Sequence, residues 1–292
     1  MRARATPASC AKAVLFCTLF LIAGPAATAE IRVLTVTDSA TFTPGLPQYL
    51  SLATIFCTGL TGISGVQQAV AYPLPYEIAG ISVTVGGAAA PLLAVADLQS
   101  CQQINMQMPA PFPSTLDTVV VSQSGQSGQM LPPLASQWGV FFVAPSGYVA
   151  AQHLDYSLVT PDHPAQPGET LAVYGTNLGR FGGIGDQPKL GYPSPTFPLA
   201  PLMTLRAGGT TTFTYATIDG GPGGSSNIWL APGLVGVFQV NIQIPSDTPD
   251  GDSVIIAVGS RCSQLNPPVG CTLSYSLGGK IPVRSTSSMS PR

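Results

Sequence analysis

Alternation of apolar and polar side chains is the main pattern along this chain. It is clear in residues 31–36 and 81–85, and strict in residues 104–108 and 240–244. Because successive side chains of a strand point to opposite faces, each segment is predicted to be a strand with one face buried. Residues 118–121 and 253–258 are almost continuously apolar and are predicted to be central strands.

Three sequence motifs occur twice, in the same order. The pairs are residues 103–109 (Gln-Ile-Asn-Met-Gln-Met-Pro) with 239–245 (Gln-Val-Asn-Ile-Gln-Ile-Pro), the Gly-Gly turns at 86–87 and 208–209, and residues 52–60 with 171–178. A fixed order of recurring motifs indicates two copies of one domain. We assign copy one to residues 30–145, copy two to residues 146–282 and a flexible tail to residues 283–292. The seam between the copies is short, so the two domains are predicted to touch.

The repeat also predicts which side chains are buried. In the repeated strand one alternate set should form the core: Ile104, Met106 and Met108 in copy one, and Val240, Ile242 and Ile244 in copy two. The amides Asn105, Gln107, Asn241 and Gln243 should face solvent or a loop that they hydrogen-bond. Asn105 should then be equivalent to Asn241, and Phe56 to Tyr174. In each copy the following apolar run is predicted to form a hairpin with this strand.

The first 29 residues have the three parts of a secretory signal. Basic residues Arg2, Arg4 and Lys12 precede an apolar stretch at 13–22 and a small-x-small cleavage site at 27–29. The apolar stretch is too short to cross a bilayer as a helix. We expect export, with Glu30 as the mature N-terminus, to the extracellular space, the cell surface or the periplasm.

Composition narrows the fold class and the possible partners. Charged residues make up 8% of the chain, which has 32 Gly and 29 Pro, so short strands and turns are favoured over long solvated helices. Signal cleavage would leave eight of the 11 basic residues against 13 acidic ones, a net charge near −5. The basic residues are scattered, which argues against a nucleic-acid partner.

Four cysteines remain after the predicted cleavage. An even number in an exported chain indicates disulfides. Cys57 and Cys101 lie beside the two strongest strand motifs of copy one, and Cys262 and Cys271 flank a loop with Pro and Gly. We predict the pairs Cys57–Cys101 and Cys262–Cys271. Zinc is disfavoured because the chain has no C-x-x-C pair with a nearby histidine.

Three segments of copy two carry a family resemblance: residues 164–169 (Pro-Ala-Gln-Pro-Gly-Glu), 174–179 (Tyr-Gly-Thr-Asn-Leu-Gly) and 231–241. They resemble an uncharacterised C-terminal domain found in many secreted acidobacterial proteins and, more distantly, IPT/TIG immunoglobulin-like domains. The resemblance implies an all-β fold of two tandem immunoglobulin-like β-sandwiches of the early-set type. It implies no particular activity. Copy one departs from the pattern at Cys57, where copy two has Gly175, which supports a disulfide specific to copy one.

Several residues are candidates for chemistry, and each has a structural alternative. Asn105 and Asn241 could line equivalent ligand sites, but their recurrence favours a structural role. His153 and His163 lie in a predicted loop without a neighbouring nucleophile, so no catalytic residue is predicted.

Two further sets of candidates concern calcium and sugars. Asp247, Asp250 and Asp252 could bind calcium, although Pro-Asp-Gly is also an ordinary turn, which we favour. The aromatic residues that could stack on sugar rings are Trp138, Tyr148, Tyr192 and Trp229. Packing in the core is the alternative for these rings and is favoured for Trp229.

The sequence therefore predicts an exported, non-catalytic interaction or adhesion module that binds a cell-surface, matrix or protein partner. The alternatives are a carbohydrate-binding accessory protein and, less favoured, a hydrolase with its site in the loops of copy two. No cofactor, no nucleic acid and no membrane span in the mature chain are predicted.

Overall fold

The computed structural model describes residues 30–109, 116–134, 140–177, 189–194, 203–208, 213–216, 228–244, 246–260 and 279–285. In these ranges the regular elements are strands, joined by turns, without a helix. The described part of the chain accordingly has no long apolar helix of the kind that crosses a membrane.

The first sandwich consists of strands β1 to β10. They are β1 (Arg32–Asp38), β2 (Leu52–Thr58), β3 (Val66–Gln68), β4 (Glu77–Ile78), β5 (Ile81–Val85), β6 (Ala88–Ala89), β7 (Leu92–Asp97), β8 (Gln102–Gln107), β9 (Val119–Gln123) and β10 (Gln126–Met130). One antiparallel sheet has the order β1-β2-β8-β7-β3. The other has the order β10-β9-β5-β4, with β6 also paired to β5.

The second sandwich consists of strands β11 to β19. They are β11 (Val140–Phe141), β12 (Ala151–Gln152), β13 (Thr170–Thr176), β14 (Met203–Gly208), β15 (Phe213–Ala216), β16 (Ile228–Leu230), β17 (Phe238–Gln243), β18 (Gly251–Ser260) and β19 (Gly279–Val283). One sheet has the order β11-β13-β17-β16, with β12 also paired to β13. The other has the order β15-β14-β18-β19.

The two sandwiches repeat one topology. The order β1-β2-β8-β7 corresponds to β11-β13-β17-β16, and β10-β9-β5 corresponds to β19-β18-β14. Two antiparallel sheets with strand orders A-B-E-D and G-F-C are the immunoglobulin arrangement. The predicted fold class, all-β with tandem immunoglobulin-like sandwiches, is confirmed.

The strand register places the repeated motifs at equivalent positions. Phe56 lies opposite Gln103 in the β2–β8 pair, and Tyr174 lies opposite Gln239 in the β13–β17 pair. Since Asn105 and Asn241 follow these glutamines by two residues, they are equivalent as predicted. All six predicted core residues of the repeated strands are buried: Ile104, Met106, Met108, Val240, Ile242 and Ile244.

The predicted hairpins are wrong. The apolar run of copy one forms β9, which pairs with β5 and β10, while the strand before it, β8, belongs to the opposite sheet. Strands β17 and β18 are separated in the same way. The reason is topological, because strands E and F of an immunoglobulin sandwich lie in different sheets.

The ends of copy two differ from the assignment made from sequence. Val140 pairs with Thr176 and Phe141 with Gly175, so β11 lies in a sheet of the second sandwich, upstream of the seam placed at 145. At the other end, β19 includes Val283, the first residue assigned to the tail.

A leucine of the first sandwich lies in the core of the second. Leu50, just before β2, is 1% exposed and packs in one cluster with buried residues of the second sandwich such as Leu171 and Phe238. Tyr49 packs against the same cluster. Full burial of a leucine side chain stabilises a fold by about 1.5–3 kcal/mol, so this contact fixes the two sandwiches to each other.

Polar side chains at the end of β13 bind the backbone of the first sandwich. Thr176 Oγ1 accepts a hydrogen bond from the Leu52 amide at 2.9 Å, and Asn177 Oδ1 accepts one from the Gln48 amide at 2.8 Å. Asn177 has a φ of 58°, a left-handed conformation that asparagine tolerates better than most residues. The Gly-Thr-Asn motif of copy two therefore serves as an inter-domain contact.

Gln107 makes the reciprocal contact from the first sandwich. Its Oε1 accepts a hydrogen bond from the Gly191 amide at 2.7 Å, and its Nε2 donates to Leu50 O at 3.1 Å. The Leu74 amide donates to Gly191 O at 2.6 Å. Gln107 is consequently buried, whereas its equivalent Gln243 is exposed and donates to Gly168 O.

Substitution of Gly236 tests the contact between the sandwiches. Gly236 has a φ of 67°, and a Cβ there would lie 2.4 Å from Leu52 Cδ2 and 3.0 Å from Leu50 O. Gly236→Ala should therefore lower the free energy of unfolding by about 1–2 kcal/mol of backbone strain and a further ~1–3 kcal/mol of overpacking. Equilibrium denaturation measures this loss.

Gly233→Ala is the matched control. Gly233 has a similar φ of 78°, but a Cβ there would meet no atom within 4 Å. Gly233→Ala should therefore lower the free energy of unfolding only by the cost of the backbone strain. Equal losses in the two variants would contradict the close packing of Leu50 and Leu52 against the second sandwich.

Candidate functional site

The first sandwich carries aromatic and amide side chains beside each other on its β2–β8 strand pair. Phe56 of β2 packs against Phe42, with ring centroids 6.0 Å apart and planes tilted by 56°. In β8, Gln103 Nε2 donates to Asn105 Oδ1 at 2.8 Å, and Thr54 Oγ1 donates to the same oxygen at 3.1 Å. These five residues form the first aromatic–amide face.

The turn that holds Phe42 is fixed by one carboxylate. Asp38 is buried and accepts hydrogen bonds from the amides of Ala40, Thr41 and Thr43 at 2.7–2.9 Å, and from the Thr41 hydroxyl at 2.8 Å. Within this turn Phe42 has a φ of 57° and stays 50% exposed. The turn therefore holds an apolar ring in water in a conformation that bulky residues rarely adopt.

The second sandwich has the same combination at equivalent positions. Tyr174 of β13 donates from its hydroxyl to Gln152 Oε1 at 2.7 Å, and Gln239 Nε2 donates to Asn241 Oδ1 at 3.0 Å. Burial and, secondarily, the nearby Tyr156 raise the pKa of Tyr174. Tyr156, Tyr174, Gln152, Gln239 and Asn241 form the second aromatic–amide face.

Tyr156 has the same left-handed backbone conformation as Phe42 and is more exposed. It has a φ of 68° and is 81% exposed. Asp155 Oδ1 accepts from the Ser157 hydroxyl at 2.5 Å and from the Ser157 amide at 2.9 Å, and these bonds, in that order, lower the pKa of Asp155. An aspartate again fixes a turn that presents an aromatic ring, here near Tyr174 of β13.

Sequence reasoning missed Phe42 and Tyr156, because single aromatic residues in turns carry no motif. An aspartate within four residues before each ring was the available signal. Asn105 and Asn241 are half-buried, and the Oδ1 of each accepts from a neighbouring glutamine side chain, whereas Gln107 and Gln243 bond to loop backbone.

Of the aromatic residues proposed from sequence, Tyr148 and Tyr192 have described side chains, and these two lie in different surroundings. Trp138 lies outside the described residues, and Trp229 is placed in β16 opposite Gln239 in the register. The Tyr148 ring is covered by Lys280 Nζ at 4.6 Å from its centroid. Tyr192 is half-exposed next to Gly191, at the contact between the sandwiches.

The three aspartates considered for calcium have other surroundings. Asp252 forms an ion pair with Arg284, and Asp250 Oδ1 accepts from the Ser285 amide at 2.7 Å. Asp247 is exposed in a turn. Two of these carboxylates thus hold the segment after β19. Across the described ranges, no three His, Cys, Asp or Glu side chains are grouped as metal ligands.

The two histidines fix a turn of the second sandwich. His153 is buried, with Nδ1 at 2.5 Å from Glu169 Oε1, Nε2 at 3.3 Å from His163 O, and its ring stacked on His163 at 4.2 Å. Glu169 Oε2 also accepts from the Gln166 amide at 2.8 Å. Both ring nitrogens of His153 are therefore engaged. Glu169, the last residue of the Pro-x-x-Pro-Gly-Glu motif, has a structural role because it binds one of them.

Comparison with known proteins gives no family. No family model matches the chain, and no curated protein matches it. The resemblance to the acidobacterial domain family therefore stays a hypothesis. The chain is similar to a solved structure titled "Tandem Ig repeats of Dlar", at 10% identity and a TM-score of 0.21, covering 88% of this chain and 99% of that one. The fold assignment rests on the strand orders above.

Cys57 and Cys101 are both buried thiols close to each other. Cys57 lies opposite Gln102 in the β2–β8 register, one residue from Cys101, and its Sγ is 3.9 Å from Gln102 O. Burial and, secondarily, Cys101 raise the pKa of Cys57 to about 12. Cys262 and Cys271 lie outside the described residues.

We predict that Cys57 and Cys101 form a disulfide under oxidising conditions. A bridge that closes a loop of about 45 residues stabilises by ~3–4 kcal/mol in the chain-entropy model. Cys101→Ser should therefore lower the free energy of unfolding under oxidising conditions by about this amount, and much less with a reductant present. Non-reducing peptide mapping gives the direct result. Alkylation of both thiols after unfolding without a reductant would refute the bridge.

Proposed function

We propose that the protein is an exported, non-catalytic binding module that engages a cell-surface, matrix or protein ligand through its two aromatic–amide faces. The observation that carries this proposal is the pair of exposed aromatic residues in left-handed backbone, Phe42 and Tyr156, each in a turn after a strand that pairs with β2 or β13. Backbone outliers of this kind cluster at functional sites.

Stability gives little reason for these two residues, since half of Phe42 stays exposed beside Phe56 and Tyr156 is 81% exposed. A left-handed backbone costs about 1–2 kcal/mol for a residue with a Cβ. A half-exposed or exposed ring recovers little of the hydrophobic stabilisation that burial would give. The aspartate-fixed turns keep each ring where a ligand can cover it, and covering an apolar ring is favourable for binding.

The absence of catalysis in this proposal is supported by the chemistry of the described residues. His153 has both nitrogens engaged with Glu169 and His163, so it is not poised to take a proton from a nucleophile. Export is supported by the signal at residues 1–29. We place the division between the two copies before β11, since β11 pairs with β13.

Two faces on one chain make binding to a multivalent surface stronger than either face alone. When both sites reach the same surface, the second binding step is intramolecular and avidity rises by about 10²–10⁴. Loss of one face should then reduce retention on a surface strongly, although the other face remains intact.

Binding to the envelope of the source cells tests the proposal. The double variant Phe42→Ser/Tyr156→Ser should bind at least about tenfold more weakly than the wild-type protein, because each face loses its exposed ring. Sedimentation of the mature protein with an envelope fraction measures this. Each single variant should bind more weakly than the wild-type protein and more tightly than the double variant.

The control is Val70→Ser/Tyr72→Ser, which changes two exposed side chains outside both faces (99% and 55% exposed). It should bind like the wild-type protein, and thermal unfolding should show that every variant is folded. Undiminished binding by the Phe42/Tyr156 variant would exclude the two faces as the binding surface.

A further inference from the structure

We infer that the ligand of the two aromatic–amide faces is a neutral polysaccharide. This inference rests on the proposed binding function and names the chemistry of its ligand. It follows from three features that the faces share: an exposed ring, a pair of uncharged amides and the lack of a charged side chain among the residues that define them.

The exposed rings suit the apolar side of a sugar. A pyranose ring presents C–H groups on its faces and hydroxyls around its edge, so it packs flat on an aromatic ring while its hydroxyls remain solvated. Phe42 has one neighbour ring tilted by 56°, and Tyr156 is 81% exposed. Each turn therefore presents one ring on which a sugar can stack.

The amides supply both kinds of hydrogen-bonding group that a sugar hydroxyl needs. In each face the glutamine Nε2 donates to the asparagine Oδ1, at 2.8 Å for Gln103 and 3.0 Å for Gln239. This arrangement turns the asparagine NH₂ and the glutamine carbonyl to other partners. A hydroxyl can accept from the first and donate to the second.

The uncharged faces and the negative net charge of the chain disfavour an acidic ligand. The ten residues that define the faces are uncharged, and the nearby Asp38 and Asp155 are engaged by their own turns. The mature chain has a net charge near −5. A uronic-acid or phosphate polymer would be repelled by this charge, whereas a neutral polymer is unaffected.

Fractionated envelope material identifies the ligand. Protein-free polysaccharide is extracted from the envelope of the source cells and separated by anion exchange into neutral and acidic fractions, and envelope protein forms a third probe. Titration calorimetry with the mature protein should show binding to the neutral fraction, with the acidic and protein fractions inactive.

Matched variants test the contacts within each face. Tyr156→Phe, made with Phe42 intact, should bind the neutral fraction like the wild-type protein, because stacking needs the ring and not its hydroxyl. Tyr156→Ser should weaken binding about tenfold, and Asn105→Leu/Asn241→Leu by a similar factor, since the amide donors are lost. A Tyr156→Ser variant with undiminished affinity for this fraction would overturn the stacking contact.

The binding experiments distinguish failure of the neutral-polysaccharide inference from failure of the proposed binding function. Binding only to the acidic fraction, or only to envelope protein, overturns the neutral polysaccharide and leaves the binding function in place. Binding to intact envelope without binding to any fraction also overturns it. Failure to bind intact envelope removes the binding function, and this inference with it.

Discussion

The burial of Leu50 in the core of the second sandwich is the contact on which the relative placement of the two domains depends. Leu50 belongs to the first sandwich but is packed among residues of the second. Removing it would leave a cavity in the core of the neighbouring domain. Gln107, Thr176 and Asn177 make hydrogen bonds between the sandwiches around this contact, and these bonds would break if the sandwiches shifted.

The docking leucine of copy one has no counterpart at the equivalent position of copy two. Gln107 donates to Leu50 O just before β2, and Gln243 donates to Gly168 O just before β13. Glycine therefore stands in copy two where copy one has the docking leucine. At the opposite end, Gly59 occupies the place of Asn177, and a Cβ there would lie 2.3 Å from Glu30 O.

Much of this fold follows from the local sequence pattern. The features that were predicted wrongly or missed depend on residues that are distant in sequence. Strict alternation predicted the buried faces of β8 and β17, because the side-chain period of a strand is local. The pairing of β9 with β5 was missed, since adjacent segments in sequence are placed in different sheets by topology. The burial of Gln107 was missed because the identical residue in copy two is exposed. Phe42 and Tyr156 were missed because their position depends on left-handed turns fixed by aspartates.

Residual dipolar couplings of backbone amides test most directly whether the two sandwiches form one fixed unit. Couplings are measured for the mature protein in a weakly aligned medium, and an alignment tensor is fitted to each sandwich separately. The packing of Leu50 predicts that both sandwiches give the same tensor, in magnitude and in orientation. Two tensors of clearly different magnitude would show independent motion of the domains and would contradict the account.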